Sequence, residues 1–75
     1  MVKVEVRLFA HLRQGREKTQ TMEVKEGTTI LDIIKALNID KDEVAIMLLN
    51  GRDGPETRQV KDGDVVSLFP PVGGG

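Results

Sequence analysis

Val2, Val4, Val6 and Leu8 alternate with Lys3, Glu5 and Arg7. A period of two along a chain is the mark of a strand with one face buried and one in water. Gln14-Gly15-Arg16-Glu17-Lys18 is polar and contains glycine, so it reads as a turn. From Thr19 to Lys25 the alternation resumes, with Met22 and Val24 on one side and Thr21, Glu23 and Lys25 on the other. This predicts the return arm of a hairpin. Glu26-Gly27-Thr28-Thr29 breaks it, and the period then changes. Ile30, Ile33, Ile34 and Leu37 fall at i, i+3, i+4 and i+7, one apolar face of a helix. Thr29 suits the N-cap, Asp32 three residues later supplies a capping-box acid, and Asn38 suits the stop. A helix of about eight or nine residues is too short to stand alone in water and has to lie on the sheet.

Val44 to Leu49 is an apolar, β-rich run that ends at Asn50-Gly51, the dipeptide of a type I′ hairpin turn. Asp53-Gly54-Pro55-Glu56 is loop, Asp62-Gly63-Asp64 is a further turn, and Val65-Val66-Ser67-Leu68-Phe69 is the last strand. Pro70-Pro71 stops it, because proline donates nothing to a ladder. The order of strand, strand, helix, strand, short strand and strand predicts an α+β fold of the β-grasp, ubiquitin-like kind. One main helix packs across a mixed sheet of four or five strands. Residues 1–69 form the domain and residues 70–75 a tail.

Phe9 and Phe69 are the only two aromatic residues. Parity places Phe9 with Lys3, Glu5 and Arg7 on the outer face of the first strand. In the last strand, inward Val66 and Leu68 leave Phe69 outside with Ser67. The first and last strands of this fold lie side by side, so the two rings are expected on one outer surface near the root of the tail. Met47, out of phase with Ile46 and Leu48, is expected to extend that patch. Apolar patches on soluble monomers mark partner sites, and aromatics favour their centres.

Composition narrows the function. Seventy-five residues make one small domain, and 39% hydrophobic residues suffice for a compact core. Eleven basic side chains against twelve acidic ones leave no clustered excess for nucleic acid. With no cysteine there is neither disulfide framework nor thiol nucleophile. No apolar run approaches the ~20 residues of a membrane span, and the amino-terminal alternation is not a signal peptide. The expectation is a cytoplasmic protein, monomeric when free, binding neither nucleic acid nor membrane.

Catalytic groups are scarce. His11 is the only histidine and has no nucleophile or acid at suggestive spacing, so it reads as an exposed polar residue. Asp62 and Asp64 flank a glycine as turn residues rather than metal ligands. Arg13, Arg16 and Lys18 form a small basic cluster near the first turn, solvated by default, with docking to an acidic partner groove as the alternative. No nucleotide fingerprint or zinc spacing occurs. The body is therefore expected not to be an enzyme, to bind no cofactor and to hold no metal.

What remains is Pro70-Pro71-Val72-Gly73-Gly74-Gly75. Three glycines in succession do not pack as an element, and two prolines give the segment a stiff, extended root. Six extended residues reach about 20 Å. The arm would present the Gly75 carboxylate with no side chain to hinder attack on its carbonyl. A carboxylate is ionised at pH 7 and a poor electrophile, so its use requires activation, for example by adenylation with ATP.

Three motifs carry a resemblance. They are Leu8-Phe9-Ala10-His11-Leu12-Arg13, Asp62-Gly63-Asp64 followed by Val66, and Phe69-Pro70-Pro71-Val72-Gly73-Gly74-Gly75. Over essentially its whole length the chain resembles the MoaD/ThiS family of ubiquitin-like sulfur carriers, MoaD-type members above all. The resemblance implies that Gly75 is adenylated by a ubiquitin-activating-like adenylyltransferase of the MoeB/ThiF type, which uses the ATP, and is then thiocarboxylated. Gly74 is the required preceding glycine. The sulfur would go to molybdopterin, the molybdenum or tungsten cofactor, inside a large synthase subunit of the MoaE type. Phe9 and Phe69 match partner-docking positions, and Pro70, Pro71, Val72 and Gly73 belong to the same partner-binding stretch. Gly73 departs from the family, which often has another residue before the final pair. The chain is also short for the MoaD type after the helix, with an unusual Asn50-Gly51-Arg52-Asp53-Gly54-Pro55 loop. A carrier for thiamine or tRNA thiolation, a protein modifier joined to lysines, and an interaction module with an inert tail therefore stay open.

Overall fold

The computed structural model describes residues 1–13 and 15–71. Five strands form one sheet: β1 (Val2–Leu8), β2 (Thr19–Val24), β3 (Ile46–Leu49), β4 (Arg52–Asp53) and β5 (Val65–Phe69). Their spatial order is β2-β1-β5-β3-β4. β1 pairs antiparallel with β2 and parallel with β5, and β5 pairs antiparallel with β3. The sheet is therefore mixed, and a single helix, α1 (Ile30–Ala36), covers one of its faces. This is the β-grasp arrangement that the order of patterns predicts.

The core follows the alternation. Val4, Val6 and Leu8 of β1 and Val66 and Leu68 of β5 are buried under Ile30, Ile33 and Ile34 of α1. Each such side chain taken out of water stabilises the fold by about 1.5–3 kcal/mol. Leu12, Ile39, Val44 and Val60, contributed by connecting segments, close the rim of this core.

Local chemistry sets the helix ends. At the start, the Thr29 hydroxyl accepts a hydrogen bond from the Asp32 amide (3.2 Å), and the Asp32 carboxylate accepts one from the Thr29 amide (3.1 Å). That is a reciprocal capping box. At the other end Asn38 takes a left-handed backbone (φ 61°), a conformation asparagine tolerates better than most residues. Its amide donates to the Lys35 carbonyl and the Ile39 amide to the Ile34 carbonyl. This is a Schellman closure that also delivers Ile39 to the core.

The capping box gives a pH-dependent prediction. Hydrogen bonds from the Thr29 backbone and side chain hold the Asp32 carboxyl below its ordinary value. A carboxylate depressed in the folded state stabilises the fold above the unfolded pKa of about 3.9, and this is lost as pH falls through the lower folded value. Thr29→Ala should cost about 1 kcal/mol at neutral pH. The gap between wild type and variant, followed by urea denaturation, should narrow below about pH 4. An unchanged gap at pH 2–3 would show that the Thr29 side chain takes no part in lowering the Asp32 carboxyl.

Turns are equally specific. Asn50 (φ 53°) and Gly51 (φ 83°) both adopt positive φ, as a type I′ turn between β3 and β4 demands. The Asn50 side chain also accepts from the Val65 amide (2.9 Å) and donates to Asp64 (2.9 Å), tying that turn to the start of β5. Asp62 and Asp64 accept from the amides of Lys3 (2.8 Å) and Lys61 (2.7 Å). The Glu5 amide donates to the Asp64 carbonyl (2.9 Å). The Asp62 carboxylate and the Asp64 carbonyl thus fasten β1 beside β5, while the Asp64 carboxylate closes the turn. Among the described residues no helix is long and apolar enough to cross a membrane.

Candidate docking site at the end of strand β5

The parallel register runs Glu5 to Val65, Val6 to Val66, Arg7 to Ser67 and Leu8 to Leu68. One step further the Phe9 amide still donates to the Leu68 carbonyl (3.2 Å). The next side chains, Phe9 and Phe69, therefore emerge on the face opposite α1. Their rings stack with centroids 4.2 Å apart and planes 9° from parallel. The sequence parity placed both rings on this surface; the register brings them into contact.

Beside the stack lies a shallow apolar groove of about 430 Å³. Its walls are the two rings, Ile46 of β3, Ala10 and His11, and Pro70 and Pro71 beyond β5. Ile46 is 39% exposed, large for an aliphatic side chain. Val72, Gly73, Gly74 and Gly75 lie outside the described residues.

The structure corrects one residue of the patch. Met47 pairs with buried Leu68 and packs against the core, whereas Ile46 pairs with Phe69 and faces the groove. Paired residues on adjacent strands share a face. The phase of β3 is thus set by its pairing with β5, and the run Val44 to Leu49 carries no alternation from which to read it.

Backbone geometry builds the opposite wall. After Phe9, Ala10 takes a left-handed conformation (φ 52°), unusual for a residue with a Cβ. The chain reverses into a short 3₁₀ turn, Ala10–Arg13. Leu12 drops fully into the core while His11 stays exposed at the groove. His11 reads in sequence as an exposed polar residue; its place on the groove wall is visible only in the fold.

Two arginines do structural work that their sequence positions hide. The Arg16 guanidinium donates to the carbonyls of Leu12 (3.3 Å), Leu37 (3.4 Å) and Asn38 (3.2 Å), binding the β1–β2 connection to the helix C-terminus. It is therefore not a solvated member of a basic cluster with Arg13 and Lys18. Arg58 donates to the carbonyls of Met47 (2.7 Å), Arg52 (2.7 Å), Gly54 (3.1 Å) and Pro55 (2.8 Å). It orders the loop after β4 against β3. On the outer face Arg7 pairs with Glu5. Among the described residues no group of three or more acidic or histidine side chains is placed to hold a metal ion.

The arrangement is an exposed apolar surface: stacked aromatics, an exposed isoleucine and two prolines at the exit of a central strand. Residues 6–75 match the model of the ThiS family. The chain belongs to the ThiS family. It is 32% identical to Small archaeal modifier protein 3 of Haloferax volcanii, over 99% of this chain and 100% of that protein. A Pyrococcus furiosus protein assigned as subunit 1 of molybdopterin converting factor superposes with a TM-score of 0.79 at 34% identity, covering 96% of this chain and 100% of that one. A chain from the Helicobacter pylori complex of subunits 1 and 2 of molybdopterin-converting factor gives 0.66 at 28%, covering 99% and 100%. Like its relatives, this ThiS-family chain is a small ubiquitin-like protein of the sulfur-carrier or modifier kind.

Proposed function

We propose that the chain is a sulfur carrier that serves as the small, non-catalytic subunit of a molybdopterin synthase. The observation that carries this reading is the Phe9–Phe69 stack with its apolar groove at the end of β5, the strand that precedes the glycine run in sequence. Such a surface holds a partner in register while the arm beyond Pro71 enters the partner's site. The likeness to the Pyrococcus furiosus and Helicobacter pylori proteins supports molybdopterin as the destination.

The chemistry lies at Gly75. Its carboxylate attacks the α-phosphate of ATP held by an activating enzyme of the MoeB/ThiF type, and pyrophosphate leaves. A sulfide-level nucleophile then adds to the acyl adenylate and AMP leaves, which yields the thiocarboxylate. Thiocarboxylate sulfur is the better nucleophile and is passed on inside the large, MoaE-type subunit. Gly74 and Gly75 have no side chain to obstruct either attack, and the carrier itself binds no cofactor. Incubation with the activating enzyme, ATP and a sulfur donor should replace one terminal oxygen by sulfur in the intact mass. An unchanged mass with an enzyme active on its own carrier would refute the proposal.

A second reading has its own support. The likeness to Small archaeal modifier protein 3 favours attachment of the same activated glycine to a lysine of another protein. Activation is common to both fates. Higher-mass conjugates in cells that vanish when Gly75 is removed would mark the modifier role.

A further inference from the structure

Charge is unevenly placed around the groove. Residues 10–18, which link β1 to β2, carry Arg13, Arg16 and Lys18 against Glu17, a net +2 in a chain of net −1, which leaves −3 on the rest. Arg16 is turned onto backbone carbonyls. Arg13 and Lys18 are exposed, and among the described residues neither side chain makes a hydrogen bond or ion pair. Arg13 ends the 3₁₀ turn whose first two residues wall the groove. Lys18 lines a second cleft, of about 290 Å³, on the other side of Phe9. The one carboxylate in that cleft, Glu5, is already paired with Arg7. Among the described residues no acidic side chain lines the groove.

We propose that the partner face seated on the Phe9–Phe69 groove is an apolar knob bordered by carboxylates, which Arg13 and Lys18 receive. This rests on the reading of the groove as a docking surface and adds the chemistry of its occupant. An apolar floor alone accepts many partners. Two cations without a partner among the described residues, one ending the turn that walls the groove and one in the neighbouring cleft, favour an acidic border and disfavour a basic one, which sets orientation and speeds encounter more than it deepens affinity. They also repel the basic margin of a second copy of this chain.

The test uses the full chain, ¹⁵N-labelled, and two blocked hexapeptides with the same Leu-Phe centre. One carries two carboxylate residues on each flank and the other two lysines. In NMR titrations at about 0.02 M salt, the acidic-flanked peptide should shift the amides of Phe9, His11, Ile46 and Phe69. It should reach half-saturation at roughly fivefold lower concentration than the basic one. The difference should collapse at about 0.3 M salt, where screening shortens to roughly 6 Å. Arg13→Glu with Lys18→Glu should abolish it, while Lys25→Glu with Lys61→Glu should leave it in place. Equal binding of both peptides at low salt, or a difference that survives reversal at 13 and 18, overturns the carboxylate border and leaves the groove as a docking surface. Shifts from neither peptide at these four residues remove the docking surface and the proposal together.

Discussion

Removing Gly75 should abolish thiocarboxylate formation altogether while leaving the fold untouched. Among the described residues none of the buried core lies beyond Leu68. Thermal unfolding of the truncated chain should therefore coincide with that of the full chain. Chemistry should respond in the opposite way. Without Gly75 the acyl group offered to ATP is that of Gly74, one residue short. An extended residue spans about 3.3–3.6 Å, and a reacting atom displaced by even 1 Å can lose about a hundredfold in rate. A shift of more than 3 Å places the carboxylate outside attacking distance of the α-phosphate. Intact mass after incubation with the activating enzyme, ATP and a sulfur donor reads the result directly. Thiolation of the truncated chain would refute the role given to Gly75. Loss of thiolation accompanied by a lowered melting temperature would mean that the tail supports the fold.

Phe69→Ala should weaken binding of the large subunit by at least about 2 kcal/mol, roughly thirtyfold, with little loss of stability. The ring faces away from α1, so its removal leaves Val66, Leu68 and the helix contacts intact. What the fold loses is the stack on Phe9, worth about 0.5–1.5 kcal/mol. What docking loses is half of an aromatic wall and the support that holds Phe9 in place. Ile46 and Met47 provide an internal control on the same strand. Ile46→Asp should damage docking alone, since Ile46 opens onto the groove. Met47→Asp should damage stability, because it sets a carboxylate against the core. Calorimetry of binding and urea denaturation of each variant separate the two effects. Unfolding by Phe69→Ala, or full stability of Met47→Asp, would reverse the assignment of faces.

The central strand pair, β1 and β5, has one end fastened and the other carrying the candidate docking surface. β1 and β5 lie at the centre of the sheet and are fastened at one end by Asp62 and Asp64. At the other end they present the Phe9–Phe69 stack. A central strand pair fastened at one end fixes where Phe9 and Phe69 stand, which suits the proposed role of meeting a partner. In both proposed roles, sulfur carrier or lysine-joined modifier, this end of the sheet would be the one to meet the partner.

Much of this was legible in the residues themselves. Strict alternation in β1 assigned inside and outside for Val4, Val6, Leu8 and Phe9. The i, i+3, i+4 spacing of Ile30, Ile33 and Ile34 assigned the buried face of α1. Thr29 with Asp32, Asn38, and Asn50-Gly51 marked a helix start, a helix stop and a turn. Each signal is a matter between neighbours a few positions apart, which is why sequence suffices.

Tertiary structure alone decided the rest. The apolar run before Asn50 has no alternation, so only pairing with β5 could put Met47 inside and Ile46 in the groove. His11 became a groove residue because Ala10 reverses the chain with a backbone angle that its side chain does not advertise. Arg16 and Arg58 look like ordinary surface cations, yet both are spent on backbone carbonyls, Arg16 on those of Leu37 and Asn38, 21 and 22 positions away. A carbonyl is the same on every residue, so no sequence pattern marks the one that a distant guanidinium will find. For that reason the chain by itself determined which elements form and which face each presents. The packed sheet determined which side chains meet, and so where the docking surface lies.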